Sequence, residues 1–75
     1  MSTTIDARGL ACPLPAIKAR RALSALPPGE ALIVLATDAE APIDVAAVAA
    51  DAGCSFQAEA RDDAWRLTLR RPPAA

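Results

Sequence analysis

The feature that most constrains the fold is a run of six residues without a polar side chain, Ala-Leu-Ile-Val-Leu-Ala at positions 31–36. The run is β-branched in its centre and lies between Pro27-Pro28-Gly29 and a polar segment that begins at Thr37. A short apolar run with turn signals on both sides is typical of a buried strand, because a helix needs a longer segment. The sequence therefore predicts a central strand, against which the rest of the chain must pack.

Hydrophobic periodicity predicts the other elements on either side of this strand. They are strands at 3–7, 54–61 and 65–70 and helices at 13–26 and 42–52. A helical crossover favours right-handed, parallel pairing of the first two strands, and a turn at Asp62-Asp63 makes the last two an antiparallel hairpin. We therefore expect an α/β chain of order β-α-β-α-β-β, folded as a two-layer α+β sandwich. Its sheet is four-stranded and mixed, with both helices on one face.

Length and composition limit the classes of function. The 75 residues are enough for a single domain over 1–75, in which we expect 71–75 to be a disordered tail. The formal net charge of −1 argues against nonspecific binding to nucleic acid, and no nucleic-acid partner is expected. Because the sequence shows neither a membrane-span pattern nor a signal-peptide pattern, we expect a cytoplasmic protein without membrane contact.

The chain has no histidine and only two cysteines, Cys12 and Cys54, without a CxxC pair. Sites built on a Ser-His or Cys-His pair are therefore excluded, and a zinc site is unfavourable. We expect neither a metal nor a cofactor. Cys54 follows Gly53 and aligns with Phe56 in the predicted third strand, so we interpret it as a packing residue.

Cys12 lies at the predicted start of the first helix, in the stretch Gly9-Leu10-Ala11-Cys12-Pro13-Leu14-Pro15. Free N–H groups and the dipole at a helix N-terminus favour an anion, so we expect a lowered thiol pKa and a nucleophilic thiolate. Pro13 and Pro15 preset the helix start, Gly9 lets the loop bend, and the N–H of Leu14 is a candidate donor to the sulfur. The position alone also allows a cysteine that only packs.

The first helix is predicted to have two faces. The sheet-facing stripe consists of Pro15, Ala16, Ala19, Ala22, Leu23 and Leu26. On the other face, near Cys12, Leu14 and Ile17 stand beside cations. We interpret this face as a docking surface for a partner protein; the alternative is ordinary scattered surface apolar residues. The predicted docking residues are Arg8, Leu14, Ile17, Lys18 and Arg21.

Two charged groups have a simple structural interpretation. Lys18, Arg20 and Arg21 could contact RNA, but a solvated helix face explains them better at this net charge. Asp38 and Asp44 bracket the start of the second helix and could serve acid–base chemistry or a hard cation. Capping of the helix and complementation of its dipole explain both carboxylates more simply.

The sequence resembles the TusA-like (SirA-like) sulfur carriers and sulfurtransferases over roughly Ile5 to Arg70. The stretch Asp6-Ala7-Arg8-Gly9-Leu10-Ala11-Cys12-Pro13-Leu14-Pro15 fits the family signature D-x-x-G-x-x-C-P-x-P. A weaker stretch, D-P-x-A-x-x-D-I, is matched by Asp38, Ala41, Asp44 and Val45. The chain departs from the family pattern at Ala39, Ile43, Ala46, Cys54 and Ser55.

The resemblance implies the fold derived above and a function for Cys12. Cys12 would accept sulfur as a persulfide from a cysteine desulfurase or a rhodanese-like donor and relay it to an acceptor protein. Family members act as such sulfurtransferases in tRNA thiolation, molybdenum cofactor synthesis or sulfur metabolism. We expect a monomer that visits its partners. The alternative is a noncatalytic regulatory module, in which C-P-x-P serves only as a rigid helix start.

Overall fold

The computed structural model describes residues 2–73, which form six elements in the predicted order. These are β1 Ser2–Ala7, α1 Leu14–Leu23, β2 Ala31–Ala36, α2 Ala41–Asp51, β3 Ser55–Arg61 and β4 Ala64–Arg70. The sheet has the strand order β1-β2-β4-β3, with β1 parallel to β2 and with β4 antiparallel to both of its neighbours. The predicted two-layer α+β sandwich with a four-stranded mixed sheet is confirmed.

The core lies between the helices and one face of the sheet. Leu32 of β2 stands opposite Leu69 of β4, and Val34 stands opposite Leu67; all four are fully buried. Most of the helix residues that cover them are small, which lets the helices approach the sheet closely. The buried ones are Pro15, Ala19 and Leu23 of α1, and Ala41, Val45, Val48 and Ala49 of α2.

The central strand is buried mainly from one side. Ile33 and Leu35 point to the sheet face that carries no helix, and each is only half-buried. Both helices lie on the other face of the sheet. These two apolar side chains of β2 therefore lie on a face that no helix covers.

Within residues 2–73, neither helix has the length and apolar character that a membrane-spanning helix requires.

Some elements end at residues other than the predicted ones, because local hydrogen bonds determine where they stop. Helix α1 stops at Leu23, short of the predicted 26, because the next turn tightens: the N–H of Leu26 donates to the Leu23 carbonyl at 3.0 Å. Arg71 and Pro72, at the start of the expected tail, are hydrogen-bonded to the fold, and Pro72 accepts the N–H of Gly29 at 3.1 Å. The N–H of Arg71 donates to the Glu30 carbonyl at 3.0 Å, and its guanidinium donates to the Leu23 carbonyl at 2.8 Å. Ala74 and Ala75 lie outside the described residues.

Candidate functional site

Cys12 lies exposed in the loop between β1 and α1, two positions before the first helical residue, Leu14. The Cys12-Pro13 peptide bond is cis. Gly9 adopts a φ of 80°, in the left-handed region that glycine favours, and its N–H donates to Thr37 Oγ1 at 2.8 Å. The loop that carries the sulfur is therefore tied to the segment that follows β2.

The sulfur of Cys12 is hydrogen-bonded to a side chain of α2. Its Sγ donates to Asp44 Oδ2 at 2.5 Å, in the first turn of α2. The backbone N–H of Cys12 donates to Asp38 Oδ2 at 3.2 Å, while Asp38 Oδ1 accepts the N–H of Glu40 at 2.8 Å. An acidic segment that runs from the end of β2 into α2 thus holds both the side chain and the backbone of Cys12.

These contacts raise the pKa of Cys12 to about 11. The hydrogen bond to Asp44 stabilises the protonated thiol, partial desolvation disfavours the thiolate, and the charges of Asp44, Glu40 and Asp38 repel it. The prediction of a lowered pKa is therefore wrong. Nearby carboxylates oppose the dipole at the N-terminus of α1, which by itself favours a lower pKa for the Cys12 thiol.

The expected backbone donor to the sulfur is also occupied. The N–H of Leu14 donates to the Ala11 carbonyl at 2.9 Å, so this group closes a turn and does not point at Sγ. Pro13 and Pro15 have no N–H to offer. Pro13 stands at the N-cap of α1, and Pro15 is fully buried against the sheet, so the prolines shape the loop–helix junction without contributing donors to the sulfur.

Arg8, one of the predicted docking residues, pairs with Asp6 and does not contact the sulfur. Arg8 forms a paired contact with Asp6, with Nε 2.9 Å from Oδ1 and Nη2 2.8 Å from Oδ2. The Arg8 contact holds the pKa of the Asp6 carboxyl well below its usual range, and the charge of Lys18 acts in the same direction. The field at Cys12 is thus set by acidic groups.

The predicted docking surface corresponds to a groove along α1 with a volume of about 590 Å³. We call it the α1 groove; it is lined by Ile5, Leu10, Leu14, Ile17, Lys18, Arg21 and Ala22. Leu14 and Ile17 are each close to half exposed, at 46% and 49%. Arg8 was expected here but lies instead along a cleft on the helix-free face of the sheet, because its side chain turns toward Asp6.

The predicted complementation of the α2 dipole is confirmed for Asp44, whereas the contacts of the site carboxylates with Cys12 are not predicted from the sequence. The N-cap of α2 is Glu40, which makes no side-chain capping bond, and Asp38 precedes it. Asp44 complements the helix dipole from the first turn and also binds the sulfur. The predicted parallel pairing of β1 and β2 is the sequence signal that places Asp38 near Cys12, since the loops that follow parallel strands meet at one edge of the sheet.

Ile43, beside Asp44, is an exposed apolar side chain that no sequence motif marks as part of the site. It is 72% exposed, the highest value among the exposed large apolar side chains. Cys54 lies past the end of α2 opposite to Asp44 and is partly buried against the core. Within residues 2–73, no group of three or more acidic, cysteine or histidine side chains is arranged to hold a metal ion.

Comparison with known proteins places the chain in a family. The family model described as Sulfurtransferase TusA matches residues 3–71. A candidate sulfur carrier protein of Neisseria meningitidis serogroup A is 46% identical over 70 residues, which cover 92% of this chain and 95% of the relative. The sulfur carrier protein TusA of Allochromatium vinosum is 43% identical over 49 residues, 65% of this chain and 64% of the relative.

The fold has a solved counterpart. The crystal structure of a SirA-like protein from Desulfitobacterium hafniense superposes with a TM-score of 0.82 at 30% sequence identity, covering 92% of this chain and 95% of that one. The family match spans almost the whole described chain and includes the Cys12 loop, both helices, strands β2 to β4 and all of β1 except Ser2. The chain belongs to the TusA family.

Proposed function

We propose that the protein is a sulfur carrier that holds sulfur as a persulfide on Cys12 and passes it to an acceptor protein. The observation that carries this proposal is the exposed thiol of Cys12 at a loop–helix junction, in the C-P-x-P motif. Relatives named as sulfur carrier proteins support the same role. In this sense the protein is a sulfurtransferase, acting as a relay between two other proteins.

Receipt of sulfur is a thiol–persulfide exchange. The sulfur of Cys12, having lost its proton, attacks the outer sulfur of the donor's persulfide. The donor's S–S bond breaks, its inner sulfur leaves as a thiolate, and that thiolate takes up a proton. Cys12 now carries the outer sulfur, and the exchange consumes no external oxidant or reductant.

Delivery repeats the exchange with the roles reversed. A thiolate of the acceptor attacks the outer sulfur of the Cys12 persulfide, and Cys12 returns to the thiol form. Asp44, Asp38 and Glu40 favour the protonated thiol of Cys12, which is the form that delivery regenerates. The acidic surroundings therefore stabilise the unloaded carrier once its sulfur has been passed on.

The α1 groove is the surface on which we place partner docking. It combines the exposed side chains of Leu14 and Ile17 with Lys18 and Arg21 along the same groove. Such a surface fits a partner that offers an apolar contact next to acidic side chains. We propose a cysteine desulfurase or a rhodanese-like protein as donor, and an acceptor in tRNA thiolation, molybdenum cofactor synthesis or sulfur metabolism.

The decisive experiment is transfer of sulfur from a cysteine desulfurase supplied with cysteine, followed by mass spectrometry of the intact protein. The native chain should gain the mass of one sulfur atom, removable by a reducing agent. Cys12→Ser should gain none, whereas the matched control Cys54→Ser should gain as much as the native chain. Equal uptake by Cys12→Ser would contradict the assignment.

A noncatalytic interaction module is the second candidate, and one observation favours it. A thiol whose pKa is raised to about 11 is almost entirely protonated near neutral pH and is a poor nucleophile. In such a module the C-P-x-P segment only shapes the start of α1. Absence of sulfur on the native chain, after exposure to both a desulfurase and a rhodanese with their substrates, would select this candidate.

A further inference from the structure

We propose that Asp44 is a positioning residue for sulfur transfer, which holds unloaded Cys12 as a neutral thiol turned toward α2 until partner binding breaks their contact. This inference rests on the proposed carrier function and adds a control element to it. The thiol becomes a nucleophile only after its hydrogen bond to Asp44 is lost.

The geometry places Asp44 in direct control of the sulfur. Sγ of Cys12 donates to Asp44 Oδ2, while the Cys12 backbone is held separately by Asp38 Oδ2 at 3.2 Å. The contact with Asp38 therefore fixes the loop, and the contact with Asp44 fixes the direction of the Cys12 side chain. Asp44 belongs to the first turn of α2, a packed helix, so its position is set by the core and not by the loop.

The other charged groups around the site leave Asp44 in a distinct role. Asp38 and Glu40, in the segment before α2, act on Cys12 through their charge, whereas Asp44 also binds the sulfur. On α1, Arg20 lines the same interhelical groove as Asp44, but its guanidinium pairs with Asp51 at 3.3 Å. Two further cations face other groups: Arg8 pairs with Asp6, and Lys18 lines the α1 groove.

Loading with sulfur turns the attractive contact between Cys12 and Asp44 into a repulsive one. The unloaded thiol donates its proton to the carboxylate, which is an attractive contact. In the persulfide, this S–H is replaced by an S–S bond, and the terminal sulfur is anionic near neutral pH because persulfides are more acidic than thiols. A carboxylate repels that anion, so the loaded sulfur turns away from α2 and toward solvent or a partner.

The test measures the reactivity of Cys12 without any sulfur donor. Every protein carries Cys54→Ser, so Cys12 is its only thiol, and the rate of alkylation by iodoacetamide is followed as a function of pH. In the reference protein the rate should rise with a midpoint near pH 11. With Asp44→Asn, the midpoint should fall by at least about one pH unit, and the rate near pH 8 should rise roughly ten- to hundredfold.

Asp51→Asn is the matched control, because Asp51 is an exposed carboxylate at the far end of the same helix. Its profile should equal that of the reference protein. An unchanged midpoint in Asp44→Asn, or an equal shift in Asp51→Asn, overturns the proposal. Circular dichroism checks each fold, and Asp44→Ala, with the same expected shift, replaces the asparagine variant if that variant is unfolded.

Sulfur loading separates this inference from the function on which it rests. If the native chain takes up sulfur and Asp44→Asn shows an unshifted alkylation profile, the role of Asp44 is wrong while the carrier function stands. If the profile shifts but the native chain never takes up sulfur from a persulfide donor, both the carrier function and the role of Asp44 in it are wrong. The proposal is supported when the profile shifts and the native chain loads.

Discussion

The backbone N–H of Gly9 donates to Thr37 Oγ1 at 2.8 Å, which links the Cys12 loop to the residue directly after β2. Asp38, the next residue, accepts the N–H of Cys12. Two consecutive side chains thus hold the loop from the same strand end. The conformation of the Cys12 loop therefore depends on contacts with a segment that is distant in sequence but adjacent across the parallel pair of β1 and β2.

Replacement of Gly9 by alanine tests how far this link controls the sulfur. Gly9 has a φ of 80°, and no atom lies within 4 Å of the position of an added Cβ, so the cost is conformational and not steric. We expect Gly9→Ala to lower the free energy of unfolding by roughly 1–2 kcal/mol, measured by urea denaturation. Because the loop relaxes, alkylation of Cys12 near neutral pH should become faster.

Gly53→Ala is the matched control for this substitution. Gly53 has a φ of 71° and equally open surroundings, but it follows α2 at the end far from Cys12. A similar loss of stability with unchanged alkylation of Cys12 is expected. If both variants change the alkylation rate equally, general loosening of the fold is responsible, and the specific link through Gly9 is refuted.

The order of elements could be predicted because each has its own periodicity. The apolar run of β2 gave both strand ends correctly, at Ala31 and Ala36, since turn signals stand on both sides. Helix ends were off by one to three residues, because the last turn of α1 is decided by hydrogen bonds such as that from Leu26 to Leu23. Arg71 could not be placed, since its partners Glu30 and Leu23 are brought together only by the fold.

The position of Cys12 just before the first helix was predictable, but its electrostatic setting was not. A cysteine before a helix start suggested a lowered pKa from local geometry alone. The groups that raise it, Asp38 and Asp44, lie 26 and 32 positions further along the chain. Their proximity follows from pairing of β1 with β2 and from the direction in which the Cys12 side chain turns, and one-dimensional patterns do not determine that direction.

Ile17→Glu tests the α1 groove as a docking surface. Ile17 is about half exposed, at 49%, so the change should alter the free energy of unfolding by only about 0.5 kcal/mol. A negative charge in place of an apolar contact should slow sulfur transfer from a desulfurase at least about tenfold, because acidic groups on the partner would face it. The initial rate of sulfur appearance on Cys12, followed by mass spectrometry, measures this effect.

The control for Ile17→Glu carries the same new side chain at a distant site. Gln57 is exposed on β3, on the sheet face opposite the helices, so Gln57→Glu should leave the transfer rate unchanged. Alkylation of Cys12 by a small reagent, measured in both variants, separates loss of docking from a direct effect of the new charge on the sulfur, because Ile17 lines the interhelical groove together with Asp44. Equal slowing by both substitutions would show that added negative charge matters and that the α1 groove does not.

The raised pKa of Cys12 predicts a loss of stability at alkaline pH. The thiol pKa is about 11 in the folded chain, against an ordinary value of 9.0. The folded state therefore binds this proton more tightly than the unfolded state, and the resulting stabilisation is complete below about pH 9. It is lost as the pH rises toward about 11, where the folded thiol also ionises.

Thermal unfolding followed by circular dichroism across this pH window measures the effect. The melting temperature of the chain with Cys54→Ser should fall more steeply between pH 9 and pH 11 than that of the same chain with Cys12→Ala added. The two proteins differ only at position 12, so the difference between their curves isolates the contribution of Cys12. Parallel curves would mean that folding leaves the affinity of Cys12 for its proton unchanged, in conflict with the Asp44 contact. A steeper fall in the protein that retains Cys12, abolished by Asp44→Asn, would trace the effect to that hydrogen bond.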